Sequence, residues 1–283
     1  MKPSILRSIA FIIAVCTQTT HSLIVQISMM KAGTHLGIVL LEKMTGKRMA
    51  FIGPHSYAKM LEGKQDVINI SPKDFRKQSN LPESRFWINH SPYVEEYAEV
   101  LSDPHYQVMF LYRDPRDIVV SLALYIRSKD KEFWPGAQNI SLEETITRLI
   151  VGGESMHITD HHISKLGIKK MYDAYLPWMK FPNILLIRFE DLVGPRGGGN
   201  REAQVRTITA ISHHIGQQIS YDDAVSYGES IFGTSTLFNK GQIGSWKTYF
   251  TPRHIKLFKE HAGQLLIDLG YEHDLDWNGK KPL

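Results

Sequence analysis

Apolar positions along this chain alternate between short unbroken runs and longer, spaced stripes. Residues 23–29 (Leu-Ile-Val-Gln-Ile-Ser-Met), 108–112 (Val-Met-Phe-Leu-Tyr) and 183–189 (Asn-Ile-Leu-Leu-Ile-Arg-Phe) are such runs. They predict strands buried on both faces, as in a parallel sheet. Residues 47–52 and 85–92 predict two shorter strands, the second ending in a turn at Pro92. Helical spacing follows at 34–44, 94–101, 115–128, 141–151, 163–178, 202–215, 221–228 and 252–269. Ser141-Leu-Glu-Glu144 opens the fourth of these as a capping box, and Thr251-Pro252 caps the last. Strand–helix alternation of this kind implies an α/β fold, a single domain with a central parallel sheet flanked by helices. Residues 53–84 lack a period and predict helix fragments and loops, and the glycines of 194–200 predict a mobile surface loop.

The candidate chemistry lies where strands give way to helices. Asp114 is a good N-cap, and Pro115 at the first helical position loses no needed N–H. Arg113 therefore sits at the carboxyl end of a strand, where open α/β sheets bind ligands. Ser121, eight residues on, lies about two helical turns away and could share an anion with it. The same residues also allow a plain ion pair between Arg113 and Asp117. After the first strand comes Met30-Lys-Ala-Gly-Thr-His35. Gly33 lets the backbone approach an anion closely, Thr34 and the first helical N–H groups can donate to it, and Lys31 adds a mobile positive charge. Asn239-Lys-Gly-Gln-Ile-Gly-Ser-Trp246 is a basic loop able to close over a ligand. His90, at another strand end, is level with Lys31 and Arg113 if the sheet is parallel. A histidine titrating near neutrality suits proton transfer there; a lone strand-end histidine is more often structural, and it is the motifs around it that favour the proton-transfer role.

Together these segments resemble the sulfotransferases that use 3′-phosphoadenosine-5′-phosphosulfate. Lys31-Ala-Gly-Thr34 resembles their Lys-Ser-Gly-Thr phosphosulfate loop, and Arg113 through Ser121 their 3′-phosphate motif. Lys240-Gly-Gln-Ile-Gly-Ser-Trp-Lys247 with Phe250-Thr251 resembles their Arg-Lys-Gly-x-x-Gly-Asp-Trp-Lys signature, and Phe189-Glu-Asp-Leu192 their Tyr-Glu-Asp segment. The matches run in family order from about residue 24 to about residue 251. The resemblance implies the P-loop-kinase-like sulfotransferase fold and a sulfate donor held by Lys31, Ala32, Gly33, Thr34, His35, Arg113, Ser121, Asn239, Lys240 and Gly241. It implies His90 as catalytic base and Lys31 as stabiliser of the leaving phosphate, with no metal. The chain departs from the family at Ile88, where a lysine usually precedes the histidine segment, and at Asn239, where an arginine usually stands. Pro252 and Lys256 replace residues of the usual dimer motif, so the oligomeric state stays open.

Two other readings remain. A nucleotide kinase needs Gly-x-x-x-x-Gly-Lys-Ser/Thr, which is absent from the sequence. A non-catalytic nucleotide-binding protein of the same fold is kept open by Ile88 and Asn239. The acceptor, a small molecule or carbohydrate bearing a hydroxyl or amine, is not specified by these motifs.

Composition changes little. The 283 residues suffice for one domain of ordinary makeup, 42% apolar and 22% charged. A net charge of +4 suits a small polyanionic ligand and gives no argument for nucleic acid. Met156-His-Ile-Thr-Asp-His-His-Ile163 fits no standard metal spacing and is expected to be an acceptor-site loop or surface. Residues 1–22 have the layout of a signal peptide preceding a 23–283 domain, with an apolar stretch far short of the ~20 residues a membrane span needs. A mis-assigned start or a buried extension are the alternatives, so the expected location is the secretory pathway or export in one case and the cytoplasm in the other. Cys16 is the single cysteine, which excludes an intramolecular disulfide.

Overall fold

The structure, a computed structural model, describes residues 22–51, 84–128, 137–152, 166–233 and 241–278. Five parallel strands form one sheet in the order β2-β3-β1-β4-β5. They are β1 (Leu23–Ser28), β2 (Arg48–Phe51), β3 (Arg85–Asn89), β4 (Tyr106–Tyr112) and β5 (Ile184–Arg188). The helices longer than one turn are α1 (Thr34–Thr45), α2 (Glu95–Leu101), α3 (Pro115–Ser128), α4 (Leu142–Val151), α5 (Gly167–Asp173), α6 (Arg201–His214), α7 (Tyr221–Ile231) and α8 (Pro252–Asp268). Alternation along each strand divides the core into two layers. Val25, Ile27, Trp87, Val108 and Phe110 face the layer that includes α2, α3, α4, α5 and α8. Ile24, Phe86, Ile88, Met109 and Leu111 face α1, α6 and α7.

The register sets the strand ends level. Ile27 stands beside both Asn89 and Phe110, and Tyr112 beside Arg188. The residues leaving β1, β3, β4 and β5 therefore emerge along one edge of the sheet, where such folds bind ligands. Local chemistry ends each strand on time. The Asn89 Oδ1 accepts the Ser91 N–H at 2.6 Å, turning the chain before Pro92, so His90 leaves the strand instead of continuing it. Asp114 caps α3 as expected, its Oδ1 accepting the Arg116 N–H at 2.9 Å.

Two expectations are corrected. The continuous helix over 163–178 is not formed: α5 ends at Asp173 and Leu176–Lys180 turns as a 3-10 helix. Pro177 explains the break, because it lacks a donor and disfavours helical geometry at the residue before it. The 194–200 glycine segment, expected as a mobile surface loop, lies at the surface but is folded into a hydrogen-bonded turn, with the Gly197 and Gly199 N–H groups both donating to the Gly194 carbonyl. The expectations for residues 1–21, 53–83 and 156–163, and for Asn239 and Lys240, lie outside the described residues.

One buried polar contact shapes the start of α1. Gln26 is fully buried in β1, and its Nε2 donates to the Thr34 carbonyl at 3.0 Å. Room for it exists only because α1 carries Gly37, where a Cβ would stand 2.2 Å from the Gln26 Oε1. Gly37→Ala should gain about 1 kcal/mol of helix propensity and lose about 1–3 kcal/mol to overpacking. The expected result is a net loss in denaturant unfolding that turns into a gain when Gln26 is also replaced by alanine. A stabilised Gly37→Ala single variant would contradict this account.

Candidate functional site

Beyond the level strand ends lies a cavity of about 270 Å³. Its floor is the β1–α1 turn. Lys31 has a φ of 67° and Gly33 a φ of 100°, so the loop curls with left-handed residues on either side of buried Ala32. Lys31 is the single non-glycine residue with positive φ among those described, a cost of about 1 kcal/mol that persists where surroundings enforce it. Gly33 is doubly required: its φ suits glycine, and a Cβ there would lie 2.7 Å from the Phe189 ring. Helix α1 starts with no side-chain cap and no acid in its first turn, so its N-terminal N–H groups and positive dipole end are left toward the cavity. Gly33, Thr34 and His35 all line it. The Thr34 hydroxyl bonds to the Ser28 hydroxyl at 2.8 Å.

His90 borders the same space, held from behind. Its Nδ1 lies 2.7 Å from the Ser28 carbonyl oxygen, which can only accept, so Nδ1 carries the proton and Nε2 the lone pair. The Tyr175 hydroxyl donates to the His90 carbonyl, and the Trp178 Nε1 donates to the Ser91 carbonyl at 3.3 Å. Burial, opposed by the Ser28 bond, lowers the His90 pKa below its ordinary value, and the nearby His35 and Lys31 charges lower it further. His35 is shifted the same way by burial and Lys31.

Arg113 is buried and sits between the three loops. Its Nη1 donates to the Lys31 carbonyl at 3.3 Å and its Nη2 to the Gln242 carbonyl at 2.8 Å. Its plane covers the Phe189 ring at 4.1 Å, and Asp117 lies 3.5 Å away. The pairing with Asp117 and the cavity position, which the sequence offered as alternatives, are both present. The Arg113 Nε–H has no hydrogen-bond partner among the described residues.

Periodicity along α3 does the rest. Asp117, Val120, Ser121, Leu124 and Tyr125 line the cavity at helical spacing, carrying one wall along about two turns beyond Arg113. The structure thus brings together Lys31, Gly33, Thr34, His35, His90, Arg113, Ser121 and Gly241, with Ala32 buried beneath the loop.

Three contributions were not read from sequence, which offered Asp117 only as an ion-pair partner of Arg113. Asp117 accepts the Gly244 N–H at 2.8 Å and the Trp246 N–H at 3.0 Å, fastening the loop after Gly241 to α3. Burial raises its pKa, against the pull of Arg113 and those two N–H groups. Tyr125 holds the Lys31 ammonium 4.2 Å from its ring centroid. Its place one turn beyond Ser121 was the available signal. The glycine turn is the third: Gly197 accepts the Ile243 N–H at 2.9 Å, and the Gln242 Nε2 donates to the Arg196 carbonyl at 2.9 Å.

A family model described as "Sulfotransferase domain" matches residues 21–270, and the chain belongs to that family. Among solved structures, it is similar to mouse sulfotransferase SULT7A1 complexed with PAP. The TM-score is 0.62 and the identity 17%, covering 89% of this chain and 87% of that one. That likeness shows the shared fold. No curated protein sequence matches the chain significantly. No described helix is long and apolar enough to cross a membrane.

A Cβ at Gly197 would meet the Val193 side chain at 2.3 Å, which can shift, and the Gly241 carbonyl oxygen, a backbone atom, at 2.6 Å. Gly197→Ala should therefore push the 241–244 loop off its support, costing about 1–3 kcal/mol. The expected sign is faster hydrogen exchange at the Ile243 amide, and an unchanged rate there would show that the turn does not hold the loop.

Proposed function

We propose that this sulfotransferase-family chain moves a sulfuryl group from 3′-phosphoadenosine-5′-phosphosulfate to a hydroxyl or amine of a small-molecule or carbohydrate acceptor. The observation that carries the reading is the convergence of Lys31, His90 and Arg113 on one cavity at an uncapped helix N-terminus. The similar mouse sulfotransferase is complexed with PAP, which fits the same donor class.

In this reading the α1 N–H groups, Gly33 and Thr34 hold the 5′-phosphate, with Ala32 and His35 completing the loop. Arg113, Ser121 and Gly241 take the 3′-phosphate, joined by Lys240 and Asn239. The Arg113 Nε–H, without a hydrogen-bond partner among the described residues, supports that role. The neutral Nε2 of His90 removes the acceptor proton while the acceptor oxygen or nitrogen bonds to sulfur. The bond from sulfur to the 5′-phosphate oxygen breaks, and Lys31 stabilises the charge that grows on that oxygen. Catalysis is then positioning and charge stabilisation, as in phosphoryl transfer, and the reading calls for no metal.

Calorimetric titration with 3′-phosphoadenosine-5′-phosphate should give micromolar binding that is indifferent to Mg²⁺. Arg113→Ala should weaken it at least about tenfold, since charge-assisted hydrogen bonds carry about 1.5–3 kcal/mol each. A folded wild-type protein that does not bind the nucleotide would sink the donor assignment. Binding without transfer to any acceptor would leave a non-catalytic member of the family.

The acid side of the rate profile is a separate test. His90 must be neutral to act as base, and its pKa lies below the ordinary 6.5. Activity should thus hold as pH falls through 6.5 and decline only at lower pH. His90→Ala should remove that limb and lower turnover by about 10²–10⁴. An acid limb that persists in the variant assigns the base to another group.

A further inference from the structure

Resting on the sulfuryl-transfer reading, we propose that Tyr125 is a positioning residue for Lys31, holding its ammonium at the reacting end of the cavity through the face of the phenol ring. The Lys31 Nζ lies 4.2 Å from the Tyr125 ring centroid, within the range of a cation–π contact. Both residues line the cavity that His90 and Arg113 also border.

The need for such a device follows from the loop. The Lys31 backbone is held in a left-handed conformation by its surroundings, including the Arg113 bond to its carbonyl. That fixes where the side chain starts but not where its four-carbon stem ends. A lysine tip is a strongly hydrated point charge with several rotamers, so a contact that narrows their range sets where the charge is delivered. An aromatic face attracts the ammonium without consuming its three N–H donors. It can therefore bias the position of the charge without itself occupying a donor. A carboxylate at the same place would neutralise the lysine.

Helix geometry makes Tyr125 suited to the task. It stands at the far end of the α3 stripe that begins with Asp117 and includes Ser121, with Arg113 on the turn just before the helix. The helix and the turn that opens it thus place a group for the 3′-phosphate at one end and a guide for Lys31 at the other. Its ring contributes through its π-face, so phenylalanine should replace it and an aliphatic residue should not.

The test compares wild type, Tyr125→Phe and Tyr125→Leu, labelled with ¹³C at the lysine ε-carbons, with Lys31→Arg assigning the resonance. Ring current should shift the Lys31 ε-methylene protons upfield in wild type and in Tyr125→Phe, and the shift should vanish in Tyr125→Leu. In single-turnover release of sulfate from the donor, to acceptor or to water, Tyr125→Leu should be about 3- to 30-fold slower, and Tyr125→Phe should restore the rate. The Kd for 3′-phosphoadenosine-5′-phosphate should be alike in all three. An absent ring-current shift in wild type overturns the proposal. So does an unchanged rate in Tyr125→Leu, an equal loss in both variants, or a loss confined to the acceptor KM. Failure of the underlying reading looks different: wild type would then bind nucleotide yet release no sulfate. In that event, with the shift present, the contact stands and its role in transfer falls.

Discussion

One guanidinium ties the site together. Arg113 donates to the carbonyls of Lys31 and Gln242, faces Asp117, and covers the Phe189 ring. Those partners belong to the β1–α1 turn, the loop after Gly241, helix α3 and the end of β5. A buried guanidinium is tolerated only with its hydrogen bonds largely met, so the fork demands that these segments arrive together. Its planar geometry then fixes their relative orientation better than a lysine could. Asp117 completes the arrangement from the other side by accepting two N–H groups of the same loop.

The parallel sheet is what makes that meeting possible. Parallel strands all end at the same edge, and right-handed crossovers return each helix to the face of the sheet. Loops separated by tens of residues in sequence become neighbours there, with no further device needed. Individual side chains then stop each strand at the right place, as Asn89 does for β3 and Asp114 for β4. Groups behind the site hold the turns still, with Tyr175 and Trp178 bonded to the carbonyls of His90 and Ser91.

Close approach is the recurring cost. Gln26 can enter the interface with α1 only because Gly37 is bare, and the loop after Gly241 can rest on Gly197 only for the same reason. At Gly33 the demand comes from φ and from Phe189 together. These glycines weaken local propensity where they stand and are justified by contacts made by distant residues. The strained backbone of Lys31 belongs with them, since its conformation is imposed by a neighbourhood and not by its own preference.

The sequence by itself determined the class of fold. Unbroken apolar runs separated by helical stripes admit few arrangements other than a parallel sheet with helices on both sides, and all five strands and most helices lie where the pattern puts them. The same local signals placed Lys31, His90 and Arg113 at strand ends, because caps, prolines and glycines act on their immediate neighbours. Tertiary structure alone decided what those residues touch. That Asp117 fastens a loop more than a hundred residues away, that Tyr125 faces Lys31, and that a triglycine segment is a support and not a free loop all depend on pairings between distant parts of the chain. The break before Pro177 was legible in principle, since the proline was visible, but helical spacing around it was the stronger pattern. Periodicity reports which face of an element is buried, whereas the partner on that face is set by sheet register and helix packing, which no local stretch of sequence encodes.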